Sequence, residues 1–316
     1  MIAARMRSAI ERLGWLRAIV KSRAGQHLVQ TVRGARVVRG PLRFVALQAG
    51  AVRPAEHVLR RSGLKIFLRH RTRDVHILNE IFGGTGGHNS YEPPPAVAAA
   101  LSCKPSPRVL DLGANIGLFG AYVLSRWPGA AIRSFEPDPT NLRVINSVIA
   151  ANALQGRWSV AELAVANEAG EMSFAAGLLA DSHLAPGARP AGGREGLAAG
   201  IDPGIGMITV ATVDLFELDH DVDLMKMDIE GGEWSILGDP RLSELEADAL
   251  VLEWHAQGCP DADAHASTLA LLRGAGYSGI KEVEVGPENG VLWAWREPAP
   301  GVRTRELPAS RASASP

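Results

Sequence analysis

A chain of 316 residues, 46% hydrophobic and with a net charge of −1, can bury one large domain with an appendage. No run of about 18 apolar residues occurs, which argues against a membrane-spanning helix. The two cysteines, Cys103 and Cys259, lie far apart in no metal-ligand spacing, so neither a disulfide framework nor a zinc site is indicated and a cytoplasmic location is expected.

The near-neutral total hides an asymmetry. Residues 1–53 hold eleven Arg or Lys and one acid, Glu11, a net +10 that leaves −11 on the other 263 residues. Within this segment Met6, Ile10, Leu13, Leu16 and Val20 recur at three or four residues, which predicts an amphipathic helix with arginines opposite its apolar face. Two roles fit such a helix. Either it docks on an anionic membrane surface or an acidic protein, making the protein peripheral at the membrane, or it packs on its own domain with the arginines in solvent. No nucleic-acid partner is expected, because no aromatic platform or recognised binding motif accompanies the charge. Residues 1–63 therefore read as a basic helical N-terminal extension and 64–297 as the main domain. Residues 298–316, rich in Pro, Ala, Ser and Arg, read as a disordered tail.

The main domain alternates. In "PRVLDLGANIGLFGAYVLSRW" an apolar run, Val109 to Leu112, meets glycines and then a helical pattern over Leu118–Trp127, predicting strand, glycine-rich turn and helix. Gly113 and Gly117 are expected to let the backbone approach a ligand closely, and the helix beyond offers free N–H groups to an anion. Twenty-five residues after Asp111, "AIRSFEPDP" ends a second strand with Glu136, where an acid can accept both hydroxyls of a ribose. Together these features predict a nucleoside-containing cofactor. A dinucleotide fingerprint needs G-x-G-x-x-G, but Asn115 stands at the middle glycine position; the pattern is D-x-G-x-x-x-G, which resembles the S-adenosylmethionine (SAM) loop of class I methyltransferases.

Further along, "WSVAELAVA" reads as a strand, and residues 177–206, with eight Gly and three Pro, as a long irregular loop of substrate-covering or merely mobile character. "TVDLFEL" reads as a short helix, "VDLMKMDIE" as a strand and "EWSILGDPRLSELE" as a helix. "ALVLEWHA", "DADAHASTLALLRGAG", "YSGIKEVEVG" and "VLWAWREP" follow as strand, helix, strand, strand, the last two forming a hairpin. The expected fold class is α/β, a Rossmann-like class I methyltransferase with a seven-stranded, mostly parallel sheet and an antiparallel end hairpin.

"DLMKMDIEGGEW" gathers four carboxylates around one lysine. Strand alternation puts Lys226, Asp228 and Glu230 on one face and Met225, Met227 and Ile229 on the other, and so much charge marks the carboxyl end of a central strand, where ligands bind. Glu233 opens the next helix, where the helix dipole favours an acid. Asp228 is the first choice for positioning or deprotonating an acceptor. Lys226 either keeps Asp228 ionised or orients the acceptor directly, His255 in "LEWH" is an alternative base, and Glu230 is left without a fixed role. Blander readings stand beside these: an ion pair of Lys226 with Asp228 or Glu230 that only stabilises the turn, a core His255, or Mg²⁺ on Asp228, Glu230 and Glu253. No metal is expected, because the lysine already supplies positive charge.

"VLDLGANIGLFG", "SFEPDPTNLRVINSVIAAN", "TVDLF", "DLMKMDIEGGEWSIL" and "LVLEWH", in this order, resemble the FkbM family of SAM-dependent methyltransferases, as does the lead-in Phe67 to Pro95. Gly232 stands where the family more often has Ala, and Met227 where it often has a branched residue. The resemblance implies SAM as cofactor, held by Asp111, Gly113, Ala114, Asn115, Gly117, Glu136 and Pro137, and a hydroxyl of a small molecule, sugar or glycan as methyl acceptor. A non-catalytic scaffold that keeps the cofactor fold and docks through its basic segment is the alternative of another class; an NAD-dependent oxidoreductase is a further one.

Overall fold

The computed structural model describes residues 23–50, 54–83, 89–176, 183–184, 206–218 and 221–297. The predicted helix over Met6–Val20, the tail from residue 298 and most of the 177–206 stretch lie outside the described residues.

Two helices, α1 (Arg23–Val37) and α2 (Pro41–Gln48), precede an antiparallel hairpin of β1 (Pro54–Val58) and β2 (Lys65–Arg69). Helices α3 (Asp74–Phe82) and α4 (Pro95–Ser102) lead to β3 (Arg108–Leu112), α5 (Leu118–Arg126), β4 (Ala131–Phe135), α6 (Pro139–Ala151) and β5 (Trp158–Ala161). Then come four strands, β6 (Ala164–Ala166), β7 (Gly170–Ala176), β8 (His183–Leu184) and β9 (Gly206–Asp214). The chain closes with β10 (Val222–Met227), α7 (Glu233–Leu237), β11 (Ala247–His255), α8 (Ala264–Gly274), β12 (Gly279–Val285) and β13 (Asn289–Trp295).

The main sheet has seven strands in the order β12-β13-β11-β10-β3-β4-β5, and only β13 runs against its neighbours. This is the expected mostly parallel sheet with an antiparallel end. The parallel strands run outward as β3, β4, β5 in one direction and as β10, β11 in the other, and the crevice at such a reversal is where open α/β sheets bind ligands.

Strand alternation divides the core into two layers. Val109, Leu224, Val251 and Trp293 face one layer; Leu110, Leu112, Met225, Met227, Leu250 and Leu252 face the other. Helix starts follow from capping: Asp138 accepts from the Thr140 N–H ahead of α6, with Pro139 in its first turn, and Asp263 accepts from Ala266 ahead of α8. The extension packs on the first layer through Ala35, Val38 and Phe44. Asn79 Nδ2 donates to the Gln30 carbonyl at 2.9 Å, and the Lys65 N–H donates to Asn152 Oδ1 at 2.8 Å. Among the described residues no helix is long and apolar enough to cross a membrane.

Four elements differ from expectation. "EWSILGDPRLSELE" is not one helix: α7 stops at Leu237, and a 3₁₀ turn, Pro240–Glu244, begins anew where Asp239 accepts from the Arg241 N–H. "WSVAELAVA" is two strands, because β5 ends in the main sheet at Ala161 while β6 pairs with β9 in a second sheet ordered β6-β9-β7-β8. "TVDLFEL" is the end of β9 followed by one 3₁₀ turn, Leu215–Glu217, which Asp214 starts by accepting from the Phe216 N–H. The extension is helical only to Gln48; His57 and Val58 then belong to a strand whose partner lies beyond residue 63.

Candidate active site

The loops after β3, β4 and β10, with Glu253 near the end of β11, surround a cavity of about 270 Å³. It is closed on other sides by α3, by β6 and β7, and by the β12–β13 hairpin. Gly113, Ala114, Asn115, Glu136, Pro137, Lys226, Asp228 and Glu230 line it; Asp111, Gly117 and His255 stand behind that wall.

Under the cavity the sheet register aligns a buried polar row. Lys226 is the register partner of Asp111, and Asp111 of Ser134. Trp158 Nε1 donates to Ser134 Oγ at 3.0 Å and Ser134 Oγ donates to Asp111 Oδ2 at 3.2 Å. Lys226 Nζ lies 3.9 Å from Asp111 Oδ1 and 3.1 Å from Asp228 Oδ2, and donates to the Gly113 carbonyl at 2.6 Å. Burial pulls the Lys226 ammonium down, but the charges of Asp228 and Asp111 outweigh it and hold it above the ordinary value. Burial pushes Asp111 up, against Lys226 and Ser134. Lys226 thus ties the β3 turn to Asp228, whose other oxygen, Oδ1, is buried without a hydrogen-bond partner among the described residues.

Gly113 has a φ of 74°, and a Cβ there would lie 1.9 Å from the Asp228 carbonyl oxygen. A Cβ on Gly117, at φ 81°, would lie 2.7 Å from Ile145 and 3.1 Å from Trp158. The close approach expected toward a ligand is therefore, at both glycines, an approach of chain to chain. Asn115, at φ 52°, turns its N–H onto Glu136 Oε2 at 2.7 Å. Glu136 Oε1 accepts from the Asp138 N–H at 2.9 Å and from Asn141 Nδ2 at 3.3 Å. Burial pushes the Glu136 carboxyl up to about 7, against the pull of these donors.

The β10 strand stops at Met227, so Asp228 follows the pleat onto the Lys226 face but Glu230 does not. Glu230 reaches the cavity through a turn, at φ 53° with Gly231 at φ 95°. Glu233 does more than open a helix. Fully buried, it accepts from the Gly231 N–H at 2.8 Å, the His255 N–H at 2.7 Å and His255 Nδ1 at 2.9 Å, joining the ends of β10 and β11. Burial pulls His255 down, but the Glu233 hydrogen bond and the charges of Glu233, Glu230 and Asp228 raise it to about 9. Raised in this way, the imidazole is disposed at neutral pH to donate rather than to accept a proton. Its Nε2 lies 3.5 Å from Glu230 and 3.8 Å from Glu253. Burial, then the Asp228 charge, pushes Glu230 up to about 7 and Glu253 up to about 8. Asp228, Glu230 and His255 offer atoms within 4.8 Å of one another, and a cation there would need His255 to lose its proton.

Asp223, the first acid of "DLMKMDIEGGEW", belongs to the far end of β10, where it accepts from Lys104 and, at 2.6 Å, from the Arg108 N–H. Sequence reading also passed over Glu80, Tyr91, Asn141 and Glu284, which line the cavity. Asn141 was readable from its place in the first turns of the helix after "EPDP"; the others come from the lead-in and last hairpin and carry no local signal.

The profile of the family described as methyltransferase FkbM domain matches residues 111–278. The chain belongs to the FkbM methyltransferase family. It is also similar to the methyltransferase sdnD of Sordaria araneosa, 26% identical over 178 residues that cover 48% of this chain and 68% of that protein. Similar solved structures include TYW2 of P. horikoshii in complex with MeSAdo (TM-score 0.39, 13% identity, covering 78% of this chain and 71% of that one). Another is the N-terminal domain of EvdMO1 with SAH bound (TM-score 0.36, 16% identity, 64% and 79%). The cofactor of this FkbM methyltransferase is SAM. Its cavity fits that group: acceptor atoms without partners among the described residues, Asn115 Oδ1 and Asp228 Oδ1, belong to its lining, and Glu136 offers a buried carboxylate where a ribose needs one.

Proposed function

We propose that the protein methylates a hydroxyl oxygen of a small molecule, sugar or glycan. One observation carries the reading: Asp228 is held by Lys226 through one oxygen and keeps the other, in the cavity wall, without a partner among the described residues. SAM when bound supplies an electrophilic sulfonium methyl. Gly113 to Asn115 would hold its amino-acid end and Glu136 its ribose. An alcohol is a weak nucleophile while protonated, so Asp228 Oδ1 accepts the hydroxyl proton as the oxygen bonds to the methyl carbon, and the electron pair of the broken carbon–sulfur bond stays on sulfur. Lys226 positions Asp228 through their ion pair.

The test has two parts. Isothermal titration should show binding of SAM and its demethylated product; no binding of either would end the enzyme reading in favour of a scaffold. Mass spectrometry of an extract incubated with labelled SAM then identifies the acceptor. On that acceptor Asp228→Ala should keep SAM affinity and lose turnover by about 10²-fold or more, the usual contribution of a positioned base. Unchanged turnover would remove Asp228 from its role.

A further inference from the structure

The N-terminal helices carry a surface that methyl transfer does not use. Among the described residues the large apolar side chains left exposed are Leu28 (61%), Val32 (41%), Leu42 (86%), Val45, Met207 and Val285. Four of these six belong to α1 and α2. On α1 the spacing Leu28, Val32, Arg36 makes one stripe along the helix, apolar at its start and cationic at its end.

Arg36 also lines a groove of about 930 Å³ between α1, the hairpin turn, α5 and β12, together with Arg33, Arg60, Arg61, Arg126 and Lys281. The two acids of the groove are already engaged. Glu92 accepts from Arg126 at 2.6 and 2.7 Å and from Tyr122 at 3.0 Å, and Glu282 pairs with His265. Arg60 donates to the carbonyls of Arg36 and Val38. Arg33, Arg36, Arg61 and Lys281 have no acidic partner among the described residues. Like charges lining a concavity repel unless an anion joins them, and arginine forks suit phosphate. Exposed leucine and valine beside that groove would be wasted on a soluble anion or a nucleic acid; both features match a phospholipid surface.

We propose that α1, α2 and the β1–β2 turn dock on an anionic phospholipid membrane, the groove taking lipid phosphates while Leu28 and Val32 enter the boundary of the acyl chains. The groove and the cavity share walls: on α3 Phe82 faces the groove and Ile81 the cavity, and on β12 Val283 and Glu284 do the same. Docking therefore sets the cavity wall beside the lipid surface.

The experiment is co-sedimentation of the full chain with vesicles of phosphatidylcholine alone or mixed with phosphatidylglycerol. The expected result is binding to the mixed vesicles, weakened by salt, and none to the neutral ones. Arg36→Glu/Arg61→Glu should lower partitioning by about tenfold or more, from about 1 kcal/mol per basic residue at an anionic surface. Leu28→Ser/Val32→Ser should lower it at every salt concentration. Both double variants should keep the parent melting temperature and affinity for the demethylated cofactor, since none of the four residues lines the cavity. Absence of binding to mixed vesicles would overturn the proposal. So would unchanged partitioning of both variants, which would assign binding to residues 1–22. Saturable binding of inorganic phosphate or an acidic peptide, abolished in the arginine variant while vesicles stay unbound, would give the groove to a soluble anion or a protein.

Discussion

Gly113 shows how one residue can decide whether the site exists. Its φ of 74° and the 1.9 Å that a Cβ would leave to the Asp228 carbonyl mean that alanine there both strains the turn and displaces the loop that carries Asp228. Gly113→Ala should cost about 1–3 kcal/mol of stability, read by denaturant unfolding, and weaken SAM binding at least tenfold. Glu233 decides the charge of its neighbour. Glu233→Gln replaces an acceptor of three hydrogen bonds with an amide, so the His255 imidazole should titrate well below about 9, which histidine NMR across pH 5–10 would follow. A histidine that still titrates near 9 in the variant would mean that Glu230 and Asp228 suffice to hold its proton.

At the scale of elements, α2 and the β1–β2 hairpin are joined by a buried histidine pair. His57 Nε2 lies 2.8 Å from His70 Nε2, and Gln48 Oε1 on α2 accepts from His70 Nδ1 at 2.9 Å and from the Arg71 N–H at 2.8 Å. Phe44 packs against both rings, tilted to His57 and edge-on to His70. Burial, then the charges of His70 and Arg43, lowers His57 to about 4. A base whose folded value is depressed binds its proton more readily when unfolded, so stability is lost as pH falls from about 6.5 through 4. The expected loss is about 1–2 kcal/mol once solvent screening is allowed for. His57→Gln keeps a polar partner for His70 and should flatten that slope, measured as melting temperature against pH; an unchanged slope would place the acid sensitivity elsewhere.

For the whole molecule, the sum of charge is less informative than its distribution. The cavity gathers Glu80, Glu136, Asp228, Glu230, Glu253 and Glu284, and burial holds Glu136 and Glu230 near 7 and Glu253 near 8. An acid raised in this way lets the folded state keep its proton, so the empty cavity is most favourable below about 4.5 and loses stability as pH rises toward 8. His255, raised to about 9, adds stability that is present below about 6.5 and lost as pH rises through 9. Both trends favour the folded protein as pH falls toward about 4.5, and the His57 cost that begins near 6.5 opposes them. As the acids ionise, the cavity should come to prefer the cationic sulfonium of SAM over the neutral sulfur of its product. Calorimetry at pH 6 and pH 8.5 should show the affinity ratio of SAM to product rising several-fold; a ratio independent of pH would mean that the ionising acids lie too far from the sulfur.

The same scale separates what was legible in the sequence from what was not. Strand periods, helix caps and the order of "VLDLGANIG", "FEPDP" and "KMDIEGGE" determined the sheet, its reversal point and the identity of the cofactor, because each depends on residues close together in the chain. They also located Lys226 beside Asp228, since two residues along a pleat share a face. Local pattern could not show that Glu233 braces His255, that Gly113 abuts Asp228, or that Ala164–Ala166 leaves the main sheet, because these contacts join segments 22 to 115 residues apart or depend on which strand finds a partner. Nor could it fix protonation. His255 reads as a near-neutral base in sequence, whereas in the fold the Glu233 hydrogen bond and the charges of Glu233, Glu230 and Asp228 outweigh burial and raise it, because these act through space and only the tertiary structure sets those distances.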